Sequence, residues 1–61
     1  MNWINFNNIN ELPKDKTILV ANETSIEYII FDMGHWRYCY IETIIPENQL
    51  NTYRKYLIPV L

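Results

Sequence analysis

The chain has 61 residues and a mass of 7.4 kDa, which is room for one domain over residues 1–61 and excludes a multi-domain enzyme. Lys+Arg 5 against Asp+Glu 7 give a formal net charge of -2, which argues against a protein that holds nucleic acid by neutralising phosphates. Hydrophobic residues make up 49% and aromatics 15%, which excludes a disordered tail, and no apolar run approaches the roughly 18 residues of a membrane-spanning helix.

Taken in chain order, Trp3-Ile4-Asn5-Phe6 alternates apolar and polar and predicts a brief strand. Asn7 to Pro13 holds three asparagines and a proline and predicts a turn-rich loop with room for one helical turn. Pro13 to Lys16 reads as a surface turn, and Thr17-Ile18-Leu19-Val20-Ala21 as a strand. A polar connection, Asn22 to Ser25, leads to a strand over 26–32. Met33 and the sole glycine, Gly34, then form a tight turn where a positive φ is needed. His35 to Ile45 predicts one long strand ended by Pro46, because proline cannot donate to a central ladder. Pro46 to Tyr53 predicts a short helix with proline at its first position. Tyr56 to Leu61 reads as an edge strand or an extended tail. The expected fold class is α+β, mainly β: a small antiparallel sheet of three to five strands with at most one short helix.

A domain this small buries only about 60% of the surface of its unfolded chain and is marginal on its own. One cysteine, Cys39, allows no internal disulfide. One histidine, His35, and that cysteine do not make a structural zinc site, so no metal and no cofactor is expected. Dense packing, self-association or a partner must supply the rest. The start, Met1 to Asn5, has neither a basic n-region nor an apolar h-region. With the lone thiol, this predicts a reducing, cytoplasmic setting. The abundance of Asn, Ile, Lys and Tyr, residues of AT-rich codons, points to a low-GC bacterium or its phage.

The central hairpin carries the most information. On its second strand Trp36, Tyr38, Tyr40 and Glu42 share one face, and His35, Arg37, Cys39, Ile41 and Thr43 the other. On its first strand Ile26, Tyr28, Ile30 and Asp32 share a face, and Glu27, Ile29 and Phe31 the other. A single sheet ordinarily buries one face and wets the other. Here both faces carry apolar or aromatic side chains, and a short chain can cover only one of them. The second face is therefore expected to be an interface, with Trp36, Arg37, Tyr38 and Tyr40 as its partner-binding residues.

No catalytic constellation is readable. His35 and Cys39 would stand roughly 13 Å apart along a straight strand, too far for a thiol–imidazole pair. Asp32 and His35 flank a turn, where such a pair is ordinarily structural. The seven acidic residues are scattered, and the phosphate-loop, dinucleotide and zinc-protease motifs are absent.

Trp3-Ile4, Leu12-Pro13, Ile18-Leu19-Val20, Gly34-His35-Trp36 and Tyr56-Leu57-Ile58-Pro59-Val60 follow one another in an order that resembles a small uncharacterised domain family common in phages and prophages. Leu57 stands where the family closes on a tryptophan, and Glu47 to Lys55 has no clear counterpart. The resemblance implies a phage or mobile-element setting and a compact sheet closed by its C-terminal segment. It implies no enzyme activity and no site residues. In the residue reading, Trp3, Leu12, Leu19 and Trp36 form the core.

The expected function is that of a non-enzymatic phage or prophage accessory protein that binds and inhibits a host defence protein by occlusion, in the host cytoplasm. The alternatives are an oligomer that sequesters a small ligand such as a nucleotide, in which Arg37 would serve as an anion fork, and a purely structural homo-oligomer.

Overall fold

The structure is a computed structural model that describes residues 2–59. Five antiparallel strands form one sheet in the order β1-β5-β2-β3-β4. In chain order they are β1 (Ile4–Asn5), β2 (Ile18–Ala21), β3 (Ile26–Asp32), β4 (His35–Tyr38) and β5 (Lys55–Leu57). A single 3-10 turn (Ile9–Glu11) follows β1, and one short helix, α1 (Glu47–Leu50), precedes β5. This is the small, mainly β, α+β architecture that the alternating patterns predict.

Local chemistry sets the connections. The 3-10 turn opens on a capping box: Asn8 Oδ1 accepts from the Asn10 N–H, and Glu11 Oε2 accepts from the Asn8 N–H, each at 2.9 Å. Between β2 and β3, Asn22 Oδ1 accepts from the backbone of Thr24 and Ser25 at 2.9 and 2.8 Å, so one amide side chain holds the whole turn. Between β3 and β4, Met33 and Gly34 both have positive φ, 51° and 81°, the geometry that matches the twist of a two-residue hairpin.

The strand expected over His35 to Ile45 is broken. β4 ends at Tyr38, residues 39–41 turn, and Glu42 takes a left-handed φ of 55°. The chain then runs back along β4. The Tyr38 N–H donates to Thr43 O at 3.0 Å, the Ile45 N–H to Trp36 O at 2.9 Å, and Arg37 and Ile44 form an antiparallel bridge. The reversal brings Ile45 into the core, where it is buried, which a continuous strand would have carried out past the sheet. It has no Gly, Pro or Asn to announce it, and its αL residue is a glutamate.

The C-terminal segment also departs from expectation. β5 is an inner strand, paired with β1 on one side and β2 on the other, and β1 is the edge. Val60 and Leu61, the end of the expected terminal segment, lie outside the described residues. Pro46 caps α1 from outside its first turn.

One face of the sheet carries the core. Ile18, Val20, Ile29 and Trp36 point to it, and Phe6, Leu12, Ile45, Leu50 and Tyr53 cover it from the loops and α1. Phe31 meets Trp36 edge-on at 5.3 Å between ring centroids. Leu12 and Trp36 are core residues, as expected. Trp3 and Leu19 are not: both belong to the opposite face, Leu19 opposite Leu57 and Tyr28 in the register and Trp3 one step beyond the Ile4–Tyr56 pair.

Candidate binding surface

The register assembles the outer face row by row, since directly opposed residues share a face. Leu57, Leu19 and Tyr28 stand side by side on β5, β2 and β3. Trp3 extends the row beyond Leu57. Cys39, whose N–H donates to Tyr28 O at 2.9 Å, extends it at the far end. The result is an apolar band across the full width of the sheet. Tyr40 leans over its far end, 6.3 Å from the Tyr28 ring. Lys55 lies over the Trp3 ring at 5.4 Å, close enough for a cation–π contact. Ile30 and Arg37 form the next row on one side, and Ala21 and Ile26 the next on the other. Every loop and helix that contributes to the main core cluster packs on the inner face, and among the described residues no second layer of elements lies over this one, although Ala21 and Leu57 within it are buried.

The four residues expected to bind a partner are split: Arg37 and Tyr40 border this surface, while Trp36 and Tyr38 lie on the inner face. Trp36 is 6% exposed in the core. Tyr38 is on the inner face, where burial, the hydroxyl of Tyr53 and the charge of Glu27 push its pKa up to about 12. Arg37 points to the outer face, and Tyr40 sits in the turn after β4, 85% exposed. The alternation that placed Trp36, Tyr38 and Tyr40 together ends with β4. The surface instead recruits Trp3, Leu19, Tyr28 and Leu57. Their signal was present as same-parity positions on paired strands, but reading it requires the order β1-β5-β2-β3, which no local pattern supplies.

Arg37 borders a cavity of about 460 Å³ with Ile30, Asp32, Met33 and Cys39. Its Nη1 donates to Glu42 O at 3.1 Å, which pins the left-handed turn. Its Nε is buried without a hydrogen-bond partner, 4.0 Å from Asp32 Oδ2. Burial raises the pKa of the Cys39 thiol, the reverse of what an activated nucleophile needs. A larger, open cleft of about 700 Å³ lies at the other end of the sheet between the Asn22–Thr24 turn and the end of α1, with a polar lining that includes Asn48, Gln49 and Arg54. Among the described residues no three His, Cys, Asp or Glu side chains gather as metal ligands. Among the described residues no helix is long and apolar enough to cross a membrane. Comparison of the chain with protein-family models, curated proteins and solved structures finds no match.

Proposed function

We propose that this chain is a non-enzymatic interaction protein, of the phage or prophage accessory kind its motifs resemble, that inhibits a host protein by covering part of its surface. The observation that carries this reading is the apolar band of Trp3, Leu57, Leu19 and Tyr28, in which Leu57 is buried and Trp3, Leu19 and Tyr28 are part-exposed. Trp and Tyr anchors inside a wider non-polar surface are what binding hot spots are made of. The molecule extends 27 × 27 × 20 Å, so one broad face is of the order of the ~800 Å² that each partner contributes to a standard interface. Occlusion needs no catalytic group, which fits a raised thiol pKa at Cys39.

The test is capture of a partner from a bacterial host lysate by the tagged chain, read by native mass spectrometry, beside Trp3→Asp and Tyr28→Asp variants. A protein held at fixed stoichiometry by the wild type and lost by both variants supports the reading. A captured protein that both variants retain removes the outer face from it. The second reading, sequestration of a small anion, rests on the unpartnered Nε of Arg37 beside its cavity. Extra small-molecule mass on the purified chain, lost in Arg37→Gln, would favour it instead.

A further inference from the structure

The two edges of the sheet are treated differently by the sequence. The β4 edge is closed by its own chain: residues 43–45 run back along it and take up the Tyr38 N–H and the Trp36 carbonyl. Among the described residues the β1 edge has no such cover. The Phe6 N–H donates to Arg54 O at 2.9 Å, and Ile4 pairs with Tyr56, so the even residues of β1 face β5. In an antiparallel ladder the alternate residues then turn their N–H and C=O groups outward. These are Trp3 and Asn5. Exposed edges in natural sheets are commonly guarded by lysine, proline, an inward charge or a bulge. Asn2 to Asn10 contains no charged residue and no proline. Ile4, the first residue of β1, is 47% exposed.

We propose that the β1 edge pairs with the β1 edge of a second copy of this chain, antiparallel about a two-fold axis through Ile4, to give a ten-stranded sheet across a dimer. The register follows from the outward groups. Trp3 and Asn5 of one protomer meet Asn5 and Trp3 of its partner in hydrogen-bonded pairs, about four backbone bonds in all, and the two Ile4 side chains meet at the close, non-hydrogen-bonded pair on the axis. No charge opposes its own copy at the seam. The nearest cation on the outer face, Lys55, lies one strand in, so the backbones of its two copies stand about 14 Å apart, and each ammonium is engaged over the Trp3 ring of its own protomer. The other edge is capped, so the assembly closes at two and does not grow into a filament. Joining the edges also places the two Trp3 side chains diagonally across the seam on the outer face.

The occupant is a second copy because the segment is complementary to itself under this rotation. A foreign strand is an outcome that the test separates. Sedimentation equilibrium from about 1 µM to 1 mM is run on the wild type, Ile4→Lys, Asn5→Pro and Tyr28→Ser. Ile4→Lys puts like charges on the axis. Asn5→Pro removes an outward N–H that the monomer does not use. Tyr28→Ser changes the outer face away from the seam. The wild type is expected as a 14.8 kDa dimer, twice the 7.4 kDa chain, with Tyr28→Ser unchanged and association at least ten-fold weaker in the other two. Hydrogen exchange should show the Trp3 and Asn5 amides more protected at high concentration than at low. A wild type monomeric throughout, species larger than a dimer, or a dimer that survives both edge variants and is lost in Tyr28→Ser would overturn the proposal. A partner captured by a monomeric wild type would leave the interaction function standing without it.

Discussion

The inner and outer faces of this sheet are built from similar residue types and have different fates. The inner face carries Ile18, Val20, Ile29 and Trp36, all buried; the outer carries Leu19, Tyr28 and Ile30, all part-exposed, with Leu57 buried among them and Trp3 at the end. Neither set is more hydrophobic in any way that decides the matter. What separates them is where the remaining chain goes. Phe6, Leu12, Ile45, Leu50 and Tyr53 fall on one side only. In a chain of this size the cover is a scarce resource, and whichever face it misses is left as a surface that another molecule can dry. The depth of burial at the centre of the inner face follows the path of the loops more than the alternation within the strands.

The largest expected difference between the faces is in stability. Ile29 is fully buried on the inner face, and Ile29→Ala should cost about 2–5 kcal/mol. A core of this size supplies roughly 3–5 kcal/mol in all, so the variant should be largely unfolded by circular dichroism at 37 °C. Leu19 is its half-buried counterpart, and Leu19→Ala should cost about 1 kcal/mol. Equal losses at the two positions would mean that the outer face is already covered in the isolated protein. The β3–β4 turn joins both faces and should respond next. Gly34 has a φ of 81° and nothing within 4 Å of where a Cβ would stand, so Gly34→Ala should cost about 1–2 kcal/mol through backbone strain alone. Met33, 82% exposed with a φ of 51°, offers the converse: Met33→Gly should be neutral or stabilising by up to about 1 kcal/mol. Thermal melts of the two variants moving in the same direction would contradict this account of the turn.

Much of the fold was legible in the amino-acid sequence. The strand over 26–32, the Met33-Gly34 turn, the helical turn after Asn8 and the short helix after Pro46 all carry local signals with a known mechanism. Two features carry none. The reversal at 39–42 is held by the Arg37–Glu42 hydrogen bond and by the burial of Ile45, both tertiary effects, and its residues favour strand. The insertion of β5 between β1 and β2 is a matter of topology, and Pro59 near the end of the segment argued for an edge. The candidate surface inherits both gaps. Continuous alternation over His35 to Ile45 puts Tyr40 beside Trp36 and Tyr38, and without the neighbour of β1 the apolar Trp3 reads as core.

The smallest predicted effect isolates one inner-face group. The Tyr38 hydroxyl has its pKa raised to about 12 from an ordinary 10.0, chiefly by burial, then by the Tyr53 hydroxyl and the Glu27 charge. The folded state therefore holds this proton more tightly than the unfolded state. The associated stability is fully present below pH 10 and is lost as pH rises from 10 to about 12, because over that window the unfolded chain binds fewer protons. Tyr38 is only half-buried, and water screens the effect, so the alkaline limb should be shallow. Tyr38→Phe removes the titrating group and should flatten that limb relative to the wild type, with little change at neutral pH, in denaturant melts run from pH 8 to pH 12. Ultraviolet difference titration should show one tyrosine of the wild type ionising late, with that component absent in the variant. An unchanged alkaline slope would mean that Tyr38 is as open to solvent as a residue of the outer face, and that the inner layer does not close over β4.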